Sequence, residues 1–176
     1  MKETPVLEPL HIDGDCRIAE LSEADRKRLT SVGGYLNVEN STGLNIPLLT
    51  SVSTTLDARD STGLTLPLLE SVVGYLDVRY SANLTLPALK TCGKLSASLS
   101  TSLTLPSLTS VGLELNAENS TDLTLPALTS CGELNAENST GLVIPSAIAR
   151  EHRTPRVYRT ATEIKAAKNS SKKGIK

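Results

Sequence analysis

The chain holds two histidines, His11 and His152, and three cysteines, Cys16, Cys92 and Cys131. These residue types most often ligate metals or carry acid–base and nucleophilic chemistry near neutral pH. A metal site needs such ligands clustered, and no paired His/Cys spacing of that kind occurs here. Glycine pairs such as Gly33-Gly34 lack the strand-to-helix setting of a phosphate loop. Serine recurs at Ser41, Ser61, Ser81, Ser100, Ser120 and Ser139, with no partner histidine or lysine nearby in the repeat. These serines are expected to form a hydrogen-bonded ladder at a turn. No catalytic residue, metal ligand or cofactor is therefore expected.

The regular spacing of the serines leads to the elements that hold them. Prolines fall at Pro47, Pro67, Pro87, Pro106, Pro126 and Pro145, in steps of 20, 20, 19, 20 and 19 residues. Aligned on them, leucine fills Leu36, Leu56, Leu76, Leu95, Leu115 and Leu134. Two residues on stand Val38, Ala58, Val78, Ala97, Ala117 and Ala136, and leucine returns at Leu44, Leu64, Leu84, Leu103, Leu123 and Leu142. Within a unit the apolar residues alternate. Leu36 and Val38 face in while Asn37 and Glu39 face out, and Leu44 and Ile46 face in while Asn45 faces out. Period two means strands. Gly43, Gly63, Asn83, Ser102, Asp122 and Gly141 stand between them, types that tolerate a left-handed corner.

One such coil cannot bury its leucines alone, whereas stacked coils share a continuous core. The expected fold is all-β, a parallel β-solenoid of about six coils with two short strands each, roughly 25–30 Å long. The chain has no Phe or Trp, as suits a narrow coil lined by aliphatic ladders. Proline, lacking an N–H, should end the second strand. Residues 1–28 are expected to cap one end. There Leu10 and Ile12 match the Leu36 and Val38 columns, and a helix follows Ser22 as N-cap. Residues 29–145 form the repeats, and 146–176 hold a short capping helix, a second helix over Thr162–Lys168 and a basic tail.

The phrase LTSVGGYLNV at Leu29–Val38, echoed by LESVVGYLDV and LTSVGLELNA, resembles the LTSVGG-type repeats of receptor L-domain-like and leucine-rich-repeat-like solenoids. Similar repeats occur in fungal cell-wall proteins and in bacterial and phage proteins of unassigned role. The resemblance spans roughly residues 29–145 and implies recognition of another macromolecule, with no catalytic residues to transfer.

Cys92 and Cys131 replace valine in the column of Val32, Val52, Val72 and Val111, and should pack as small buried hydrophobes. Both cysteine coils lack one residue in the following turn, which suggests a tighter corner. The two sit two coils apart, too far for a disulfide. With no signal peptide and no apolar run of membrane length, a cytoplasmic location away from membranes is expected.

If the inward columns are uniform, partner recognition belongs to outward columns that vary. Tyr35, Arg59, Tyr75, Arg79 and Tyr80 are types enriched at protein–protein hot spots, and Glu114, Glu118, Glu133 and Glu137 should form an acidic patch together with Asp122. Charge is divided too: residues 29–145 carry net −6 and residues 146–176 net +7. The first function expected is a non-catalytic protein-recognition module, in its simplest setting a phage-encoded inhibitor of a host defence or nucleic-acid enzyme. The alternative is a nucleic-acid-associated protein, acting through the basic C-terminal tail or as an acidic mimic of a duplex. An ice-binding face would need two unbroken threonine rows, and the rows fail at Asn45, Ala82 and Val143. The chain is expected to be a monomer or an end-to-end dimer.

Overall fold

A computed structural model describes residues 8–152. Its strands are β1 (Leu10–Ile12), β2 (Cys16–Arg17), β3 (Leu29–Val32), β4 (Leu36–Asn37), β5 (Ser51–Val52), β6 (Thr55–Asp57), β7 (Ser71–Asp77), β8 (Thr91–Ser96), β9 (Ser110–Asn116) and β10 (Ser130–Asn135). All pair in parallel within one sheet. Like stacks on like: Val32, Val52, Val72, Cys92, Val111 and Cys131 are successive partners, as are Leu36, Leu56, Leu76, Leu95, Leu115 and Leu134. The fold is a parallel β-solenoid of about six turns, each coil serving as the edge on which the next is laid.

The core is the expected set of ladders. Leu36, Leu56, Leu76, Leu95 and Leu115 are fully buried, as are Ile46, Leu66, Leu86, Leu105, Leu125 and Ile144. Parallel sheets reward this monotony, because their strands are read by neighbours at one fixed register. A further ladder stands at Leu29, Leu49, Leu69, Leu89, Leu108 and Leu128. It lies at or just before the start of the strand that begins each coil.

Three expectations need correction. The LNI and LTL segments do not form a second strand; they meet only at single bridges, Asn45 to Thr65 to Thr85 to Thr104 to Thr124 to Val143. A left-handed corner precedes each of these residues, and the proline two positions on has no N–H, so pairing cannot extend. Leu10 and Ile12 pair with Leu29 and Val32 rather than standing in the Leu36 and Val38 columns. It is Cys16 that lies over Leu36. The column after the core leucine, taken as outward, turns in: Asp57, Asp77 and Ser96 are buried. Asn37, Asp57, Asp77, Asn116 and Asn135 each accept the backbone N–H two residues ahead, at 3.0–3.3 Å, so the column is a stack of Asx turns.

The corner residues from Gly43 to Gly141 all have positive φ, 54° to 67°. A second positive-φ column stands three residues earlier, at Asn40, Asp60, Tyr80, Leu99, Asn119 and Asn138. Between the two corners the serines from Ser61 to Ser139 are buried and form the expected ladder: Ser61 and Ser81 Oγ donate to the Val38 and Ala58 carbonyls and accept from the backbone N–H of Ser41 and Ser61.

Two short helices complete the described chain. In α1 (Glu23–Arg28) the Ser22 hydroxyl accepts the Asp25 N–H at 3.1 Å, the expected N-cap. In α2 (Ser146–Glu151) Ile148 packs into the core. The helix expected over Thr162–Lys168 and the basic tail lie outside the described residues. No described helix is long and apolar enough to cross a membrane.

Candidate functional site

The outward residues singled out from the sequence fall into two columns on either side of the Asx stack. One runs Thr55, Tyr75, Lys94, with Glu114 and Glu133 adjacent below. The other holds Glu39, Arg59, Arg79, Ser98, Glu118 and Glu137, and from Arg59 onward their carbonyls accept from an N–H of the coil before. Their side chains differ sharply in how free they are.

Arg59 and Arg79 are tied to their own strands. The Arg59 guanidinium grips the Asp57 carboxylate through Nε at 2.9 Å and Nη2 at 2.8 Å, and Arg79 grips Asp77 at 2.9 and 2.7 Å. Arg59 also reaches Glu39 at 3.4 Å and Asp77 at 3.8 Å. Tyr35 is half-buried and its hydroxyl donates to Asp57 at 2.7 Å. Burial, then the hydrogen bond and charge of Asp57, push the Tyr35 phenol up to about 12. Burial pulls the Asp57 carboxyl upward, but the Arg59 and Tyr35 hydrogen bonds outweigh it and hold the group below its usual range. This is a self-satisfied network that locks the Asx turns of neighbouring coils together.

The other column opens onto a groove. Coil four runs Cys92-Gly93-Lys94-Leu95, one residue shorter than Val72-Val73-Gly74-Tyr75-Leu76 above it and Val111-Gly112-Leu113-Glu114-Leu115 below. The register slips on both sides, between Val72 and Tyr75 and between Cys92 and Leu95. The longer coils must therefore bulge where coil four is recessed, and a bulge re-aims the residue it carries. Val73 and Leu113 stand outward there, at 68% and 70% exposure the most exposed large aliphatic side chains among the described residues. They flank a largely apolar groove of about 460 Å³, with Gly74 and Gly93 at its base and Thr54, Thr55, Tyr75 and Lys94 on its walls.

Gly93 is obligatory there, since a methyl group on it would stand 2.5 Å from the Val73 carbonyl oxygen and 2.6 Å from that of Gly74. Lys94 lies 5.6 Å from the Tyr75 ring centroid, and Glu114 neutralises it at 2.6 Å. That leaves Glu133 and Glu137 exposed, with no ion-pair partner among the described residues. Glu118 accepts a weak hydrogen bond from Asn119 at 3.3 Å.

Tyr80 and Leu99 stand on adjacent coils, 57% and 47% exposed, at φ 59° and 60°. Four of the six residues in that column are Asn or Asp, the types that accept left-handed backbone. A bulky side chain at such a corner is strained and adds apolar surface.

A second groove, about 750 Å³, lies between α1 and the first coil, lined by Arg26, Lys27, Glu39 and the segment 40–45. Its cations are already engaged: Arg26 Nε donates to the Ile18 and Leu21 carbonyls, and Lys27 pairs with Glu23 at 2.6 Å.

Val73 and Leu113 were not among the residues singled out from the sequence. The signal was present: large aliphatic groups in a turn otherwise built of Gly, Ser and Thr, beside a coil one residue short. No cluster of metal ligands occurs among the described residues. The thiols of Cys16, Cys92 and Cys131 are free and buried. Burial, aided by the Cys131 thiol, pushes Cys92 up to about 12, the environment of a packing residue rather than a nucleophile.

No protein-family model, no curated protein and no solved structure matches this chain. The fold and site alone define it, as a β-solenoid repeat protein with a local fault in its repeat that exposes apolar surface.

Proposed function

We propose that this chain is a non-catalytic protein-recognition module whose docking surface is the groove at coil four. The observation that carries this reading is the pair Val73 and Leu113. Both are aliphatic, both are more than two-thirds exposed, and both line one depression beside Tyr75. Exposed apolar surface gathered in one place marks an interaction site. Tyr75 supplies an aromatic wall and the Lys94–Glu114 ion pair a polar rim, the usual arrangement of an interface centre and its edge. The two short helices are read as caps that shield the first and last coils from edge-to-edge pairing.

The resemblance to receptor L-domain-like repeats supports recognition as the role, and a phage product inhibiting a host enzyme is the setting we propose for it. The test compares capture of protein from bacterial lysate by the wild-type chain, Val73→Asp and Leu113→Lys, each after nuclease treatment. Both substitutions fall on exposed sites and should change stability by less than about 0.5 kcal/mol. A discrete protein retained by the wild type and reduced at least about tenfold by either variant is the expected result. Capture that vanishes with nuclease would move the function to nucleic acid and end this reading.

A further inference from the structure

The groove has a candidate occupant within the same chain. Beyond His152 the sequence continues Arg153-Thr154-Pro155-Arg156-Val157-Tyr158-Arg159, three arginines around a Val-Tyr pair, outside the described residues. That composition complements the groove and its surroundings: an aliphatic and an aromatic side chain for Val73 and Leu113, and cations for the Glu133 carboxylate on the next coil, which has no ion-pair partner among the described residues. Tyr158 is the only aromatic residue after Tyr80.

Position agrees with chemistry. Helix α2 follows the last coil directly and packs Ile148 into the core, and in that coil Cys131 Sγ donates to the Glu133 carbonyl at 3.1 Å. The chain therefore leaves α2 at the coil that carries the Cys131–Glu133 turn, which is the groove's own turn two coils further along the stack. Two coil spacings are about 10 Å, and six extended residues span about 20 Å. On that path the arginines meet Glu133 first, and Tyr158 reaches the groove.

We propose that Arg153–Arg159 folds back in cis into the groove, placing Val157 and Tyr158 on Val73 and Leu113 and an arginine on Glu133. The site is then self-occupied until a partner displaces the segment. The proposal rests on the groove being the recognition surface and adds its regulation.

The chain contains no tryptophan, so Tyr158→Trp places a single reporter in the full-length protein. Its emission should be blue-shifted, and its quenching by acrylamide several-fold weaker than in a free peptide of residues 153–176 carrying the same change. Adding Leu113→Lys should return both to the peptide values. Adding Leu48→Lys, at an exposed leucine elsewhere, should not. Protection should weaken with salt and be independent of protein concentration.

A reporter as exposed as the free peptide, or protection unmoved by Leu113→Lys, overturns the proposal. So does protection that grows with concentration, which would place the segment on a second copy. Partner capture separates this result from the recognition reading. If the segment docks in the groove and the groove is the partner's site, Tyr158→Ala raises capture several-fold. A protected reporter with capture indifferent to Leu113→Lys leaves the docked segment standing and removes the recognition reading. An exposed reporter with capture lost in Leu113→Lys does the reverse.

Discussion

Coils two and three and coil four share one wall yet treat their polar and apolar groups in opposite ways. Around Asp57 and Asp77 every strong donor has an acceptor in its own or the adjacent coil, so the arginines that look like hot-spot residues are already engaged. At coil four, one residue shorter than its neighbours, the polar contacts reduce to Lys94 with Glu114 and Tyr75, and two aliphatic side chains stand in solvent beside them. In a repeat protein, residue type is thus a poor guide to availability. Where stacking is perfect, polar residues find partners above and below; where the count slips, surface is released.

The contrast can be broken first at its base. Gly93→Ala forces a methyl against two carbonyl oxygens of the coil above, and should cost about 3 kcal/mol in denaturant unfolding. An alanine in the equivalent turn position Ser53 should be nearly neutral. The network side is next. Asp77→Ala removes the acceptor of the Arg79 N–H and of its guanidinium, and should cost about 2 kcal/mol. Asp77→Asn keeps the Asx turn and should lose about half of that, because the ion pair, with Arg79 partly exposed, contributes little.

Tyr80→Asn and Leu99→Asn go the other way. Each relieves a left-handed corner and should raise stability by about 1 kcal/mol. A loss in either variant would show that the side chain packs more than its exposure suggests.

The alkaline effect stands apart, because it develops only far above neutral pH. Cys92 and Tyr35 hold their protons more tightly folded than unfolded, both near 12 against about 8.5 and 10. Their contribution is complete below about pH 8.5 and is lost as pH rises toward 12. Thermal melts across that window should show the decline, with Cys92→Ala removing its lower part.

The architecture was legible because it is written six times over. A leucine every 19 or 20 residues with alternation around it admits few folds, and the left-handed corners announced themselves as Gly, Asn, Ser and Asp. The Asx column misled because period two labels every second residue outward. Asp57 and Asp77 sit where the strand ends and the chain bends, so the next N–H draws the side chain in. The groove was harder still. The short coils were visible as a count, but which side chains a bulge ejects depends on the coils beside it, and Val73 and Leu113 are ordinary aliphatics until their register is known.

The parallel stacking has a mechanical corollary. Bonds between coils, such as Thr62 N–H to the Ser41 carbonyl and Thr65 N–H to that of Leu44, run along the stacking direction. Tension applied to the two termini therefore loads one terminal coil at a time, as in unzipping, and never shears many bonds in parallel. Under an optical trap the molecule should yield in a staircase of low-force steps, each releasing one coil of about 70 Å of chain. A load-bearing role is ill suited to such a spring, whereas piecewise disassembly by a threading protease is well suited to it.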